Sequence, residues 1–324
     1  MTPIERSEVV KRIADELGFE RCGIALAHPI GRAGYLREWL ASGRAGSMEY
    51  LHRHFDKRID PRELLEGAQS VVMTALGYDQ PAPPRASDDK PRGRVARYAW
   101  GEDYHAVVKD KLFAMVDRLR TEVGEPFEAK VCVDTAPLLE REWAANAGVG
   151  WIGKNTLVLH HEIGSYFFLG GIVTTLDLRP DEPAADHCGT CTACLEACPT
   201  QAFPAPYEMD ASRCVSYLTI EHRGEIPDDL RRGVGEWIFG CDVCQEVCPH
   251  NGRSPMTREP RLAVRRACPD PGIDAIVTFT DEAIRHQFRG TAVRRATPAM
   301  LRRNARLVGE NLTRNGGKQT NPSA

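Results

Sequence analysis

Two cysteine runs between positions 188 and 248 constrain this chain more than any other feature. The first is Cys188-x2-Cys191-x2-Cys194-x3-Cys198-Pro199. Its spacing is the one used to hold a pair of [4Fe–4S] clusters. Three thiolates in such a run wrap one face of a cubane, and the fourth points away to the other cluster. The second run, Cys241-x2-Cys244-x3-Cys248-Pro249, matches the last three cysteines of the same pattern, and its missing first position falls on Ile238. Cys214, between the runs, is the candidate that replaces it. The crossing rule then groups Cys188, Cys191, Cys194 and Cys248 on one cluster, and Cys198, Cys214, Cys241 and Cys244 on the other. Paired zinc sites also use C-x2-C, but they do not explain two x3-Cys-Pro endings. A C-x3-C-x2-C radical site fails in both runs, because Gln201 and Asn251 stand where its last cysteine would be. Cys22, Cys132 and Cys268 read as buried or incidental thiols.

Several features point to the cytoplasm. There is no apolar run of membrane-spanning length, the start Met-Thr-Pro-Ile-Glu-Arg carries no signal core or twin arginine, and a dense cysteine cluster suits a reducing compartment. The formal net charge of −3 conceals an asymmetry. From Asn251 onward there are 14 Lys+Arg against 6 Asp+Glu, a net of +8; the remainder carries −11. A basic segment on an acidic body suits a polyanion, with nucleic acid first, although a solvated helical surface gives the same count.

At 324 residues the chain has room for two or three units. Residues 1–180 read as a mixed α/β unit, 181–252 as a ferredoxin-like two-cluster unit, and 253–324 as a basic, partly helical segment with a disordered end from Asn315. The fold class expected is therefore α+β. Val9, Val10, Ile13 and Leu17 have helical spacing. Ser70–Leu76 reads as a buried strand, residues 78–94 as a Pro-rich loop, Tyr104–Val123 as a helix, and Lys130–Val133 as a short strand. A helix opening at Pro137 and stopping near Gly148 comes next. Residues 155–161 and 166–176 read as paired strands, with Gly170-Gly171 a bulge. A plain electron carrier needs little beyond the cysteine runs, so some 180 residues before them imply a second chemistry there.

Asp134 ends the short strand. It reads either as an N-cap for the next helix or as a buried acid whose raised pKa stores a proton, and the pattern favours the cap. Gly148, Gly150 and Gly153 with Lys154 and Asn155 form a glycine-rich turn. The turn is either a tight connection or backbone lying close to a large cofactor; it is no Walker loop. His105 closes an aromatic and charged stretch from Arg97, and reads as a helix-start residue, since Val108 breaks the D-x-H-x-x-G corrinoid signature. Lys57 and Arg58 are surface charges by default.

Taken in order, these segments resemble epoxyqueuosine reductase. The motifs are Arg97 to His105, Val133 to Pro137 with Trp151 to Asn155, Cys188 to Pro199, Arg213 to Glu221, Gly240 to Pro249, and Arg289 to Asn304. The resemblance covers nearly the whole chain. It implies base-off cobalamin in the N-terminal unit beside one cluster, and Asp134 as proton donor rather than cap. It also implies cobalamin contacts at Lys57, Arg97, Asp134, Asn155 and Ser216, and RNA contacts at His222 and Arg223. The implied substrate is epoxyqueuosine in a transfer-RNA anticodon stem-loop, bound by a monomer. Electrons come from an external donor such as a flavin-containing reductase or flavodoxin. Longer relatives carry further helical repeats, so a shorter chain is expected to grip RNA differently. A reductive dehalogenase shares the corrinoid and two-cluster plan, and a non-catalytic electron-transfer protein shares the clusters. The missing leader and the basic segment weigh against the first, and the N-terminal unit against the second.

Overall fold

The computed structural model describes residues 1–81, 90–263 and 266–316. Its N-terminal half is built on a four-stranded antiparallel sheet in the order Arg21–Leu26, Ser70–Gly77, Phe167–Thr174, Ala129–Cys132. Strand Ser70–Gly77 is buried throughout, because both faces are covered. Val72 and Leu76 pack with Val10 and Ile13 of helix Pro3–Glu16 and with Val108, Leu112 and Met115 of helix Tyr104–Val123. Val71, Met73 and Ala75 pack with Trp143 and Ala144 of helix Glu140–Asn146. The period of two along the strand thus serves two separate cores.

The strand pairing differs from the sequence expectation. Phe167–Thr174 does not pair with residues 155–161; Val158–Leu159 forms a separate ribbon with Trp151–Ile152. The register between Ser70–Gly77 and Phe167–Thr174 also runs unbroken through Gly170 and Gly171, so there is no bulge. The glycines serve packing instead. A Cβ at Gly170 would lie 2.7 Å from Val108 Cγ1, and one at Gly171 3.0 Å from Leu138 Cδ2. Helix Tyr104–Val123 therefore comes as close to the sheet as the missing side chain permits.

The C-terminal half has its own cores. Helix Pro298–Gly316 packs on helix Ile273–Thr278 and on strand Trp237–Phe239. That strand pairs in parallel with Arg94–Val95. Val95 and Trp100 bury with Ile238, Phe239 and Phe288, so this stretch of the N-terminal 180 residues is stitched into the C-terminal core. Pro83 and Pro84 of the expected loop, and residues 317–324 of the expected disordered end, lie outside the described residues. Residues 315 and 316 still belong to the last helix. Among the described residues no helix is long and apolar enough to cross a membrane.

Candidate functional site

The eight thiols gather in two groups. Cys194 lies within electrostatic reach of Cys248, Cys188 and Cys191, and Cys244 within reach of Cys214, Cys241 and Cys198. Short helices Ala193–Ala197 and Val243–Glu246, one in each run, pack against each other and bring the runs together. Burial, with repulsion from neighbouring thiolates, pushes Cys194, Cys241, Cys244 and Cys248 up. Four such thiols ionise together only around cationic metal. Their spread bears on which metal. A tetrahedral zinc with Zn–S near ~2.3 Å needs its sulfurs under roughly 4 Å apart. Among the described residues the sole metal-ligand group within 4.8 Å is His160, His161 and Glu162. No cysteine trio among the described residues meets that spacing. In the His group, Arg21 already occupies His160 Nε2 at 3.1 Å and pairs with Glu162.

Asp134 sits where strand Ala129–Cys132 ends, and its side chain is 56% exposed. Its Oδ2 accepts from His105 Nε2 at 3.0 Å. The opposite ring nitrogen, Nδ1, meets Asp103 Oδ1 at 2.7 Å. Asp103 is the N-cap of helix Tyr104–Val123, and the same oxygen accepts the His105 amide at 3.1 Å. One carboxylate therefore both starts the helix and fixes the imidazole. The ring is further held in a stack: His105 on Tyr104 at 4.1 Å, and Tyr104 on Phe168 of the sheet at 4.2 Å. Carboxylates on both ring nitrogens favour imidazolium, which donates from both. Desolvation pulls His105 down, but hydrogen bonds and charge from Asp103 and Asp134 outweigh it, leaving the pKa raised to about 9.

This corrects the expectation that burial raises Asp134. Desolvation does push its pKa up, yet the His105 hydrogen bond and the charges of His105, Arg295 and Arg141 bring it below the usual carboxylate range. The raised acid is Glu140, which reaches about 8 through burial and the nearby Asp134 charge. At neutral pH the proton next to Asp134 resides on His105, and another on Glu140. His105 is at a helix start, as its position suggested, but it is also the partner of Asp134.

The remaining site residues fall around these two centres. Asn155 Nδ2 lies 3.5 Å from Cys244 O, and Ser216 follows Cys214 in helix Val215–Ile220. The Arg97 amide donates to Asp242 Oδ2 at 2.7 Å beside Cys241, and its guanidinium pairs with Asp79 and lies over the Tyr166 ring. Arg97 Nε is buried without a partner among the described residues. Lys57 is exposed on helix Phe55–Ile59. Arg141 lies within electrostatic reach of both Asp134 and Cys214. His222 Nε2 is taken up by Glu225 O at 2.8 Å, and Arg223 is exposed. The adjoining Glu221 forms a two-pronged pair with Arg295 at 2.8 and 3.0 Å, and the Arg295 guanidinium lies over Tyr50. Glu140, Glu221, Arg295 and Tyr50 escaped the sequence reading because each lies far in sequence from Asp134 or carries no motif.

Comparisons with known proteins decide what this arrangement belongs to. A family model described as a 4Fe-4S double cluster binding domain matches residues 187–251, and one described as Epoxyqueuosine reductase QueG, DUF1730 matches residues 58–135. An epoxyqueuosine reductase of Leadbetterella byssophila is 42% identical over 306 residues, covering 94% of this chain and 98% of the relative. The chain belongs to the epoxyqueuosine reductase family. Another epoxyqueuosine reductase, from Xanthomonas campestris, is 42% identical over 297 residues, 91% of this chain and 83% of that one. The fold matches an epoxyqueuosine reductase crystallised with an epoxyqueuosine-modified tRNA-Tyr stem-loop, with a TM-score of 0.89 at 30% identity, covering 96% of this chain and 82% of that chain. It also matches the Bacillus subtilis epoxyqueuosine reductase with its catalytic aspartate loop swung out of the active site, with a TM-score of 0.89 at 29% identity, covering 99% of this chain and 87% of that chain. Membership makes the chain an oxidoreductase with an iron–sulfur segment.

Proposed function

We propose that this chain reduces epoxyqueuosine to queuosine in the anticodon loop of transfer RNA. Two electrons and two protons convert the epoxide to an alkene and release water. The observation that carries the reading is a His105–Asp134 pair, closed at 3.0 Å, in a chain that also gathers two groups of four thiols. The thiol sets assigned are Cys188, Cys191, Cys194 and Cys248 for one cluster, and Cys198, Cys214, Cys241 and Cys244 for the other.

The residues present also suit a corrinoid. Its amide arms call for hydroxyl, amide and guanidinium partners. We assign these roles to Asn155, whose Nδ2 reaches Cys244 O, to Ser216, two residues after Cys214, and to Arg97, whose Nε has no partner among the described residues, with Lys57 and Asp134 completing the set. Bound there, cobalamin would supply a strongly reducing centre for opening the epoxide.

The protein's own part is the proton. An alkoxide is a poor leaving group, so the opening epoxide needs a positioned acid. Asp134 faces the substrate, and His105 recharges it: Nε2–H passes its proton to Oδ2, and the carboxyl passes it to the oxygen. Asp103 keeps the ring aligned and steadies its charge. Glu221 and Arg295 join the His222–Arg223 segment, assigned to RNA contact, to the mouth of the acid site. The base must leave its stack to reach that acid, as loop bases do. A soluble cytoplasmic monomer served by a flavin-bearing electron donor completes the reading.

Anaerobic reconstitution with iron, sulfide and cobalamin separates the alternatives. A corrinoid absorption band, transfer-RNA binding and turnover of epoxyqueuosine RNA are expected together. No corrinoid band would favour a plain electron carrier, and turnover of an organohalide without RNA binding a dehalogenase.

A further inference from the structure

Asp134 occupies a backbone conformation that residues with side chains rarely adopt. Its φ is +50°. Thr135 N–H closes on Val133 O at 2.5 Å across it, a three-residue turn of the uncommon positive-φ kind. A second tight turn follows, with Leu138 N–H on Ala136 O at 2.8 Å. Such geometry persists only where the surroundings over-determine it. The group that holds it is Glu140, the first residue of helix Glu140–Asn146, whose Oε1 accepts the Asp134 backbone N–H. Asp134 is thereby fixed at both ends, its carboxylate by His105 and its amide by Glu140. Burial and the Asp134 charge push the Glu140 pKa up to about 8, so at neutral pH it accepts largely through a neutral carboxyl. It thus adds little negative charge next to Asp134.

We propose that Glu140 is a positioning residue for the acid: by accepting the Asp134 N–H, its carboxyl holds the strained turn that aims the Asp134 carboxylate at His105 and the substrate. The role in turnover rests on the reading of Asp134 as the proton donor. The hold on the turn does not.

The test uses the full chain, loaded with clusters and cobalamin, as wild type, Glu140→Ala and Glu140→Gln. Glutamine keeps an acceptor oxygen without a titrating group, and alanine removes it. Amide hydrogen exchange over residues 131–139, without RNA, is expected to speed up roughly five- to tenfold in Glu140→Ala and to stay near wild type in Glu140→Gln. In turnover, Glu140→Ala is expected to lose roughly ten- to a hundredfold in kcat, with KM for the RNA within about twofold, and Glu140→Gln to recover most of it. Unchanged exchange in Glu140→Ala overturns the proposal. So does faster exchange with a wild-type kcat, or a glutamine variant that behaves like alanine in both readouts. If wild type itself turns over no epoxyqueuosine RNA, the functional reading fails, while the exchange comparison still decides whether Glu140 holds the turn.

Discussion

The thiol groups and the acid site reach their places by opposite routes. Seven of the eight thiols lie in two short runs, where local spacing does the positioning, and Cys214 alone is recruited from between them. The acid site has no such run. Asp134 depends on His105 from a helix start, Glu140 from the next helix, and Arg141 and Arg295, 7 and 161 residues further along the chain. A metal centre written locally can be removed in one discrete step. A proton site assembled from many elements is expected to fail by degrees.

Substitutions can break or sharpen that contrast. The largest effect is expected for Cys214→Ser, the one thiol outside the runs. About half of the iron and nearly all turnover should be lost, with the first group intact. A full iron complement would remove Cys214 from the ligand set. Asp134→Asn comes next, with a loss of roughly 10²–10⁴-fold in kcat while iron content and RNA binding persist. Near-normal turnover there would end its role as the acid. His105→Gln should cost less, because Asp134 can still take a proton slowly from water. The pH profile carries the sharper sign. His105 keeps its proton up to about 9, so wild-type kcat should hold through pH 8 and fall as pH rises through 9. That upper limb should be missing in His105→Gln.

The smallest effect concerns the RNA side. The Arg303 guanidinium donates to Leu218 O at 2.6 Å and to His222 O at 2.7 Å, and also to Gly224 O. Buried Asn304 donates to Thr219 O and Ile238 O at 2.9 and 2.8 Å. These two residues of the last helix frame the segment bearing His222 and Arg223. Arg303→Lys, which cannot span three carbonyls, should weaken RNA binding roughly tenfold with kcat near wild type. A titration with a fluorescent stem-loop checks it.

The same contrast explains what the sequence disclosed. The thiol runs were readable because their chemistry is a local spacing. Helix Tyr104–Val123 was readable to the residue because Asp103 caps it and Gly124, at φ +74°, ends it. Strand partners were not readable. Phe167–Thr174 lies between strands far from it in sequence, and Gly170 and Gly171 look like a bulge until the helix they admit is seen. The lowered Asp134 pKa was not readable for the same reason. Desolvation raises it, but the cations that overcome this arrive from three other places in the chain. The family resemblance, resting on motif order, implies an acid role at a position that the local pattern alone assigns to a helix cap.

The most direct test is nucleoside mass spectrometry on an epoxyqueuosine-modified stem-loop incubated under reducing, oxygen-free conditions with the chain loaded with clusters and cobalamin. The modified nucleoside should lose one oxygen atom with the wild-type chain and keep it with Asp134→Asn. An unchanged nucleoside with the wild-type chain, with both clusters present and the stem-loop bound, would contradict the account.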